Sequence, residues 1–179
     1  YAAVRDIRAK TADCEGRRCT IIFDPAGEAF TQKTAKELAA YEQLILICGH
    51  YEGFDARVYD LADRLISVGD FVLTGGEIPA MLVVDATARM LPGVLGDDTS
   101  APTDSFFDVL LGYPQYTRPR VFEGKAVPDV LLSGNHAEIA RWRREQSLLR
   151  TMRHRPELLP LAKLTTEDLL FLSKQDEKW

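Results

Sequence analysis

The chain has 179 residues, of which 46% are hydrophobic and 27% charged, a balance that excludes a disordered chain and allows one sizeable core or two small ones. No apolar run approaches the roughly 20 residues needed to cross a bilayer. The net charge of −5 is unevenly spread: residues 1–115 carry 10 basic against 18 acidic side chains, and residues 116–179 carry 12 against 9, the pattern of an acidic scaffold with a basic contact surface for a polyanion.

Val4–Thr11 reads as the end of a helix and Cys19–Phe23 as a short buried strand. Thr31–Glu42 predicts a helix, with Thr34 and Glu37 spaced like a capping pair. Leu44–Cys48 and Leu65–Val68 are the next apolar runs of strand length. Strands separated by helical segments predict βαβ units and a mostly parallel sheet. Ile78–Leu91 predicts a helix with Pro79 in its first turn and Pro92-Gly93 closing it. Its residues Ala80, Met81, Leu82, Val83, Val84, Ala86, Ala88 and Met90 leave little polar surface, which predicts burial, partly against a second copy of the chain.

Residues 96–105 form a polar, turn-rich segment of the kind that joins domains. Beyond it, Asn135 can cap a helix with Glu138 three residues on. Ile139, Trp142, Gln146 and Leu149 fall on one side of that helix; at about 100° per residue, Arg141, Arg144 and Arg155 project from the other. Arg141–Arg155 holds six arginines and one acid, Glu145; it reads as a phosphate-binding surface or, more plainly, as a solvated helix face. Pro156 halts the helix, and Thr165 with Asp168 starts a last one through Leu169, Leu170 and Leu172. Cys14, Cys19 and Cys48 lack metal-type pairing, so reduced thiols of a cytoplasmic protein are expected rather than zinc ligands, and no cleavable targeting segment is visible.

Two of the strand-like runs stop at glycine. Leu65 and Ile66 lead into Ser67-Val-Gly-Asp-Phe-Val-Leu-Thr-Gly-Gly, and Leu44–Cys48 leads into Gly49-His-Tyr-Glu-Gly. Open α/β sheets bind ligands beyond the carboxyl ends of their strands, so the two loops predict one pocket wall. Glycine lets backbone groups approach a ligand that side chains would hold off; the plainer reading is two turns. Taken alone, these features predict a doubly wound sheet that binds a nucleotide-like ligand.

Five segments carry a more specific resemblance: Gly49-His-Tyr-Glu-Gly-Phe-Asp, Ser67-Val-Gly-Asp-Phe-Val-Leu-Thr-Gly-Gly-Glu, Pro92-Gly-Val-Leu-Gly, Tyr116-Thr-Arg-Pro and Leu132-Ser-Gly-Asn-His-Ala-Glu-Ile. In order and spacing they resemble the bacterial tRNA (guanine-N1)-methyltransferases, from about Cys19 onward. The resemblance implies an α/β fold with a trefoil-knotted, mostly parallel sheet and flanking helices (the SPOUT class), plus a small helical C-terminal domain. It implies a methyltransferase domain over residues 1–95, a linker over 96–115 and a tRNA-binding domain over 116–179. It also implies a homodimer and a cytoplasmic enzyme. The family begins some tens of residues earlier, with a first strand and a glycine-rich loop. His50 stands where the family usually has arginine, Phe71 where tyrosine is common, Ala56 where glutamate is frequent, and Asp24-Pro-Ala-Gly replaces a serine-headed turn.

The implied reaction moves a methyl group from S-adenosylmethionine to N1 of the guanine that follows the anticodon. The resemblance puts the cofactor between the loops Gly49, Tyr51, Glu52 and Ser67, Val68, Gly69, Asp70, Phe71, Val72, Leu73, Thr74, Gly75, Gly76, with Asp24, Pro25 and Ala26 as a third wall. Asp104 matches the family's general base and Arg89 its basic residue at O6; their plainer readings are a helix cap and a C-terminal helix cation. Asp104 lies on the linker and is expected to serve a cofactor bound by the other subunit. A magnesium requirement comes with the family, but one acid, Glu52, does not define a magnesium site, and no metal ligands are assigned. The implied partner is the tRNA anticodon stem-loop, held through phosphates by the C-terminal arginines, with no membrane involved. A catalytically silent RNA-binding relative and an unrelated nucleotide-binding α/β enzyme are the competing readings.

Overall fold

The computed structural model describes residues 1–12, 16–51, 53–96 and 100–176. Cys14 and Glu52 lie outside them, as do residues 97–99 of the predicted joining segment. The chain divides into two compact units, Tyr1–Asp98 and Thr99–Trp179.

In the first unit, α1 (Ala2–Lys10) precedes β1 (Arg18–Ala29), α2 (Gln32–Leu38), β2 (Gln43–Ile47), a 3-10 helix (Ala56–Leu61), β3 (Arg64–Ser67) and α3 (Glu77–Ala88). The three strands form one parallel sheet in the order β2-β1-β3, so the predicted α/β class and parallel pairing hold. β1 runs six residues past the predicted Phe23. Its pairing with β3 breaks between Phe23 and Glu28, both of which lie opposite Ile66, so Asp24–Gly27 bulges out of the ladder. An apolar-run criterion stops at Phe23 because the bulge is polar.

α2 is shorter than expected and starts from a different pair. Thr31 and Thr34 exchange side-chain-to-backbone hydrogen bonds of 3.3 Å in both directions, a capping box one turn earlier than the Thr34/Glu37 spacing suggests. Glu37 instead joins Glu28 on Arg64, whose Nε lies 2.6 Å from Glu28 and whose Nη2 lies 3.1 Å from Glu37. The guanidinium holds the Glu28 carboxyl below its ordinary range. Cys19, Ile21, Leu38, Ile66 and Val83 form the buried core of this unit, each large aliphatic contributing about 1.5–3 kcal/mol by leaving water. Burial raises the thiol pKa of both Cys19 and Cys48, and both are free.

α3 departs from its predicted burial. Only Pro79, Val83 and Thr87, spaced by four, are buried. Ile78, Met81, Leu82 and Val84 are exposed, Met81 at 71%. The all-round apolar character of the segment thus covers one face used within the chain and a second left uncovered.

The second unit contains α4 (Ser100–Thr103), a small antiparallel hairpin of β4 (Val121–Phe122) and β5 (Lys125–Ala126), α5 (His136–His154) and α6 (Thr166–Asp176), with 3-10 turns at Asp129–Leu132 and Pro156–Leu161. Its core is Leu110, Leu148 and Leu172. Asn135 caps α5 by accepting from the Glu138 N–H at 3.3 Å, as its spacing predicts. Thr165 and Asp168 cap α6 reciprocally at 2.9 and 3.1 Å. The stripe Ile139, Trp142, Gln146 and Leu149, read from the sequence as one side of the helix, is not the most buried face of α5. Leu148 and Thr151 are, because the Thr151 hydroxyl accepts from the Leu111 N–H at 2.9 Å and donates to the Ser147 carbonyl at 2.8 Å.

Candidate functional site

β2 and β3 flank β1 on opposite sides, so the chain leaves β1 in one direction and returns past it in the other. The loops that follow β2 and β3 diverge at that switch of direction, and open parallel sheets leave their ligand crevice there. A cavity of about 310 Å³ occupies this position, within the range of small-molecule sites.

Most of the sequence-predicted cofactor residues line it: Asp24, Pro25, Gly49, Tyr51, Ser67, Val68, Gly69, Phe71, Val72, Leu73, Thr74, Gly75 and Gly76. Ala26 and Asp70 belong to the same loops without lining the cavity, and Glu52 lies outside the described residues. Phe23, Phe54, Tyr59, Ile66 and Pro79 also line it and were not read from the sequence, and His50 and Gly53 join it from the β2 loop that the sequence marked as pocket wall. Phe54 and Tyr59 form an edge-to-face pair with centroids 6.3 Å apart. Their signal was weak because Tyr59 sits on a 3-10 helix whose pattern, Ala-Arg-Val-Tyr-Asp-Leu, has no clear period.

The two glycine loops are stitched into one wall. The Gly76 N–H donates to the Gly49 carbonyl at 2.9 Å, and His50 and Gly75 form an antiparallel bridge. His50 Nε2 meets Glu77 Oε1 at 2.7 Å, linking the β2 loop to the first turn of α3. A Cβ at Gly76 would stand 2.7 Å from Cys48 Cα. The glycine thus allows the close approach of α3 to β2. Gly69 has φ +150°, which reserves its turn for glycine. Tyr51, with φ +65° and 95% exposure, is a non-glycine residue in the left-handed region at the cavity rim, a conformation that costs about 1–3 kcal/mol and clusters at ligand sites.

Asp24 has a local role. Its Oδ1 accepts from the Ala26 N–H at 2.8 Å, and its Oδ2 accepts the Tyr59 hydroxyl. That bond raises the Tyr59 pKa above its ordinary value. The pair fixes the β1 bulge against the 3-10 helix as the third wall. Loop backbone that can pair with an adenine edge, together with the apolar faces of Phe54, Tyr59, Val68 and Leu73, is a donor set that suits an adenine-bearing ligand.

Arg89 is the C-cap of α3. Thirteen residues of helical rise put it about 20 Å along the axis from Gly76 at the cavity. Asp104 follows α4 in the second unit, is exposed, and its carbonyl accepts from the Phe107 N–H at 3.4 Å in a turn rather than a helix cap. It borders a separate cavity of about 310 Å³ with Asp108, Arg143 and Arg144. Among the described residues, no group of three or more His, Cys, Asp or Glu side chains is placed to hold a metal ion, and no helix is long and apolar enough to cross a membrane.

The arginines of α5 are engaged within the unit. Arg141 pairs with Glu145 at 2.9 Å, Arg143 lies 4.9 Å over the Tyr113 ring, and Arg150 donates to the Gly112 carbonyl at 2.5 Å. Arg155 pairs with Glu157 and covers Phe106 at 5.7 Å. Arg144 does not project outward as its helical position suggests. It binds Asp168 through Nε at 3.2 Å and Nη2 at 2.8 Å, tying α5 to α6. The guanidinium holds the Asp168 carboxyl below its ordinary range.

Residues 1–161 match the family model described as tRNA (Guanine-1)-methyltransferase TrmD. A tRNA (guanine-N(1)-)-methyltransferase of Moorella thermoacetica is 60% identical over 155 residues, covering 86% of this chain and 62% of the relative. One from Desulforamulus reducens is 56% identical over 163 residues, covering 90% and 63%. One from Halalkalibacterium halodurans is 54% identical over 183 aligned positions, covering 99% and 73%. The chain thus spans somewhat under two-thirds of the length of the first two relatives. On a match running through both units, the chain belongs to the tRNA (guanine-1)-methyltransferase family.

Proposed function

We propose that the chain transfers a methyl group from S-adenosylmethionine to N1 of the guanine immediately 3′ of the anticodon in tRNA. The observation that carries this reading is the cavity at the carboxyl ends of β1, β2 and β3, built from the loop residues that the family resemblance assigns to the cofactor. S-adenosylmethionine bound there supplies an activated methyl group. The rest of the chemistry is a proton problem. N1 of guanine carries a proton at neutral pH, so its lone pair is released only when a base removes that proton and negative charge moves to O6. Asp104 is assigned as the base, a role that contributes roughly 10²–10⁴ in rate. Arg89 is assigned to the charge at O6, and one such donor contributes about 10²–10³.

The reading includes a trefoil-knotted sheet, a cytoplasmic homodimer and a division into methyltransferase domain (1–95), linker (96–115) and tRNA-binding domain (116–179). Two observations support the dimer. The uncovered apolar face of α3 is the kind of surface that a second copy buries. Arg89 also sits ten residues, about 15 Å of helical rise, beyond Pro79 at the cavity of its own chain, which favours a methyl donor brought by a partner. Residues 116–179, with 12 basic against 9 acidic side chains, supply the polyanion contact.

Calorimetry with S-adenosylmethionine, followed by methyl transfer to an anticodon stem-loop carrying guanine or adenine at the target position, tests the reading. Saturable cofactor binding with transfer to the guanine substrate alone is expected, and a parallel reaction with chelator reads the magnesium requirement. Binding of both ligands without transfer would make the chain an RNA-binding relative; no cofactor binding would overturn the proposal altogether.

A further inference from the structure

The second unit holds a cavity of about 480 Å³ that the reaction above does not use. Trp142 and Ile139 of α5 and Leu131 of the neighbouring 3-10 turn give it an apolar floor, so part of the one-sided stripe of α5 faces this hollow. The Tyr116 and Trp142 rings have centroids 6.3 Å apart with planes inclined at 52°. Arg143 lies over Tyr113 on another wall. Arg118 and Arg120 stand at the exposed rim, Arg120 held by Asp129 at 2.8 Å. Among the described residues, three arginines and no Asp or Glu line the cavity, in a chain whose net charge is −5.

We infer that this cavity takes one unpaired nucleobase of the tRNA anticodon arm, other than the methylated guanine, with its phosphate at Arg118; the inference rests on the tRNA reading above. A paired stem presents phosphates to a flat cationic surface and has no base to insert. A concave, aromatic-walled hollow with a cationic rim fits a base turned out of a loop. The inclined rings leave no parallel slot between them, so the base stacks on a single ring face. Gln115 and Thr117 add a side-chain amide and a hydroxyl that can read its edge. An acidic peptide would use the rim but not the aromatic walls.

The test is equilibrium binding of the full chain to anticodon stem-loops made abasic at one loop position at a time. For the unsubstituted chain, one position other than the target guanine is expected to lose roughly 5- to 100-fold in affinity. Tyr116→Ala, at a residue 48% exposed, should weaken binding of the intact stem-loop and abolish the extra loss at that position. Arg118→Gln should weaken binding while leaving the abasic sensitivity in place. Equal thermal melting of variants and parent confirms that folding is intact. The proposal is overturned if Tyr116→Ala binds every RNA like the parent, or weakens a loopless paired stem by the same factor. It is also overturned if an acidic peptide binds the parent and not Tyr116→Ala while RNA affinity is unchanged. A parent chain that binds no stem-loop and transfers no methyl group would overturn the underlying tRNA reading as well, and so separates the two failures.

Discussion

Gly76→Ala isolates the junction that joins the two glycine loops. The backbone at Gly76, with φ −82° and ψ −5°, suits alanine, so the effect is one of space. The added Cβ would meet Cys48 Cα at 2.7 Å, Cys48 Cβ at 3.1 Å and the Gly49 nitrogen at 3.1 Å. Carbon–carbon contact relaxes to about 3.5–4.0 Å, so α3 and the end of β2 must part by about 1 Å. That displacement would stretch the 2.9 Å bond from the Gly76 N–H to the Gly49 carbonyl beyond hydrogen-bonding range. Overpacking costs about 1–3 kcal/mol and the lost bond about 0.5–1.5 kcal/mol, giving a destabilisation of roughly 2–4 kcal/mol. Urea denaturation reads it as a lower midpoint at unchanged slope, and calorimetry should show weaker S-adenosylmethionine binding. Gly96→Ala, where nothing lies within 4 Å of the added methyl, is the control and should stay within about 0.5 kcal/mol of the parent. A Gly76→Ala protein with the parent's midpoint and cofactor affinity would refute the argument from close approach.

Asp104→Asn should keep S-adenosylmethionine and stem-loop binding while turnover falls by roughly 10²–10⁴; near-normal single-turnover rates would remove Asp104 from the base role. Asp168→Asn should destabilise the second unit by about 1–3 kcal/mol, because it removes the two-nitrogen ion pair of Arg144 and weakens the α6 cap. The Asp168 carboxyl pKa is lowered in the folded state, so its contribution is present above the ordinary carboxylate pKa of about 4 and is lost as pH falls below it. Stability measured from pH 7 down to pH 3 should therefore decline less steeply in the Asn variant, and parallel curves would count against the pairing. Met81→Glu places a charge on the uncovered face of α3 and should convert a micromolar dimer to monomer in sedimentation velocity; a parent chain that is itself monomeric would remove the proposed interface.

The parts of this molecule that local chemistry determines were legible in its sequence. Asn135 with Glu138 and Thr165 with Asp168 announce their helix starts because each cap is complete within four residues. The glycine loops after β2 and β3 were readable because a strand ending at glycine is a local signal. Three features depend on distant partners and left none. Arg144 reads as an outward cation until Asp168, 24 residues on, turns it inward. Tyr59 becomes a cavity wall only through Asp24, 35 residues earlier. The stripe Ile139/Trp142 signals an apolar face but does not say whether that face meets a core or a hollow, which is decided by the Tyr113–Thr117 segment opposite it.

The arginines of α5 have a consequence beyond their charge. With Arg141, Arg143, Arg144, Arg150 and Arg155 each seated on an acid, a carbonyl or a ring of the same unit, their side chains have already surrendered much of the torsional freedom that a loose cation gives up on meeting an anion. The segment behaves as a stencil of seated guanidiniums, three of them already paired with a carboxylate, rather than a brush of mobile cations. Lysine replacements would preserve the sum of charge and lose the stencil, because an ammonium on a flexible stem cannot reproduce the two-nitrogen contact of Arg144 on Asp168 or the planar seat of Arg143 over Tyr113.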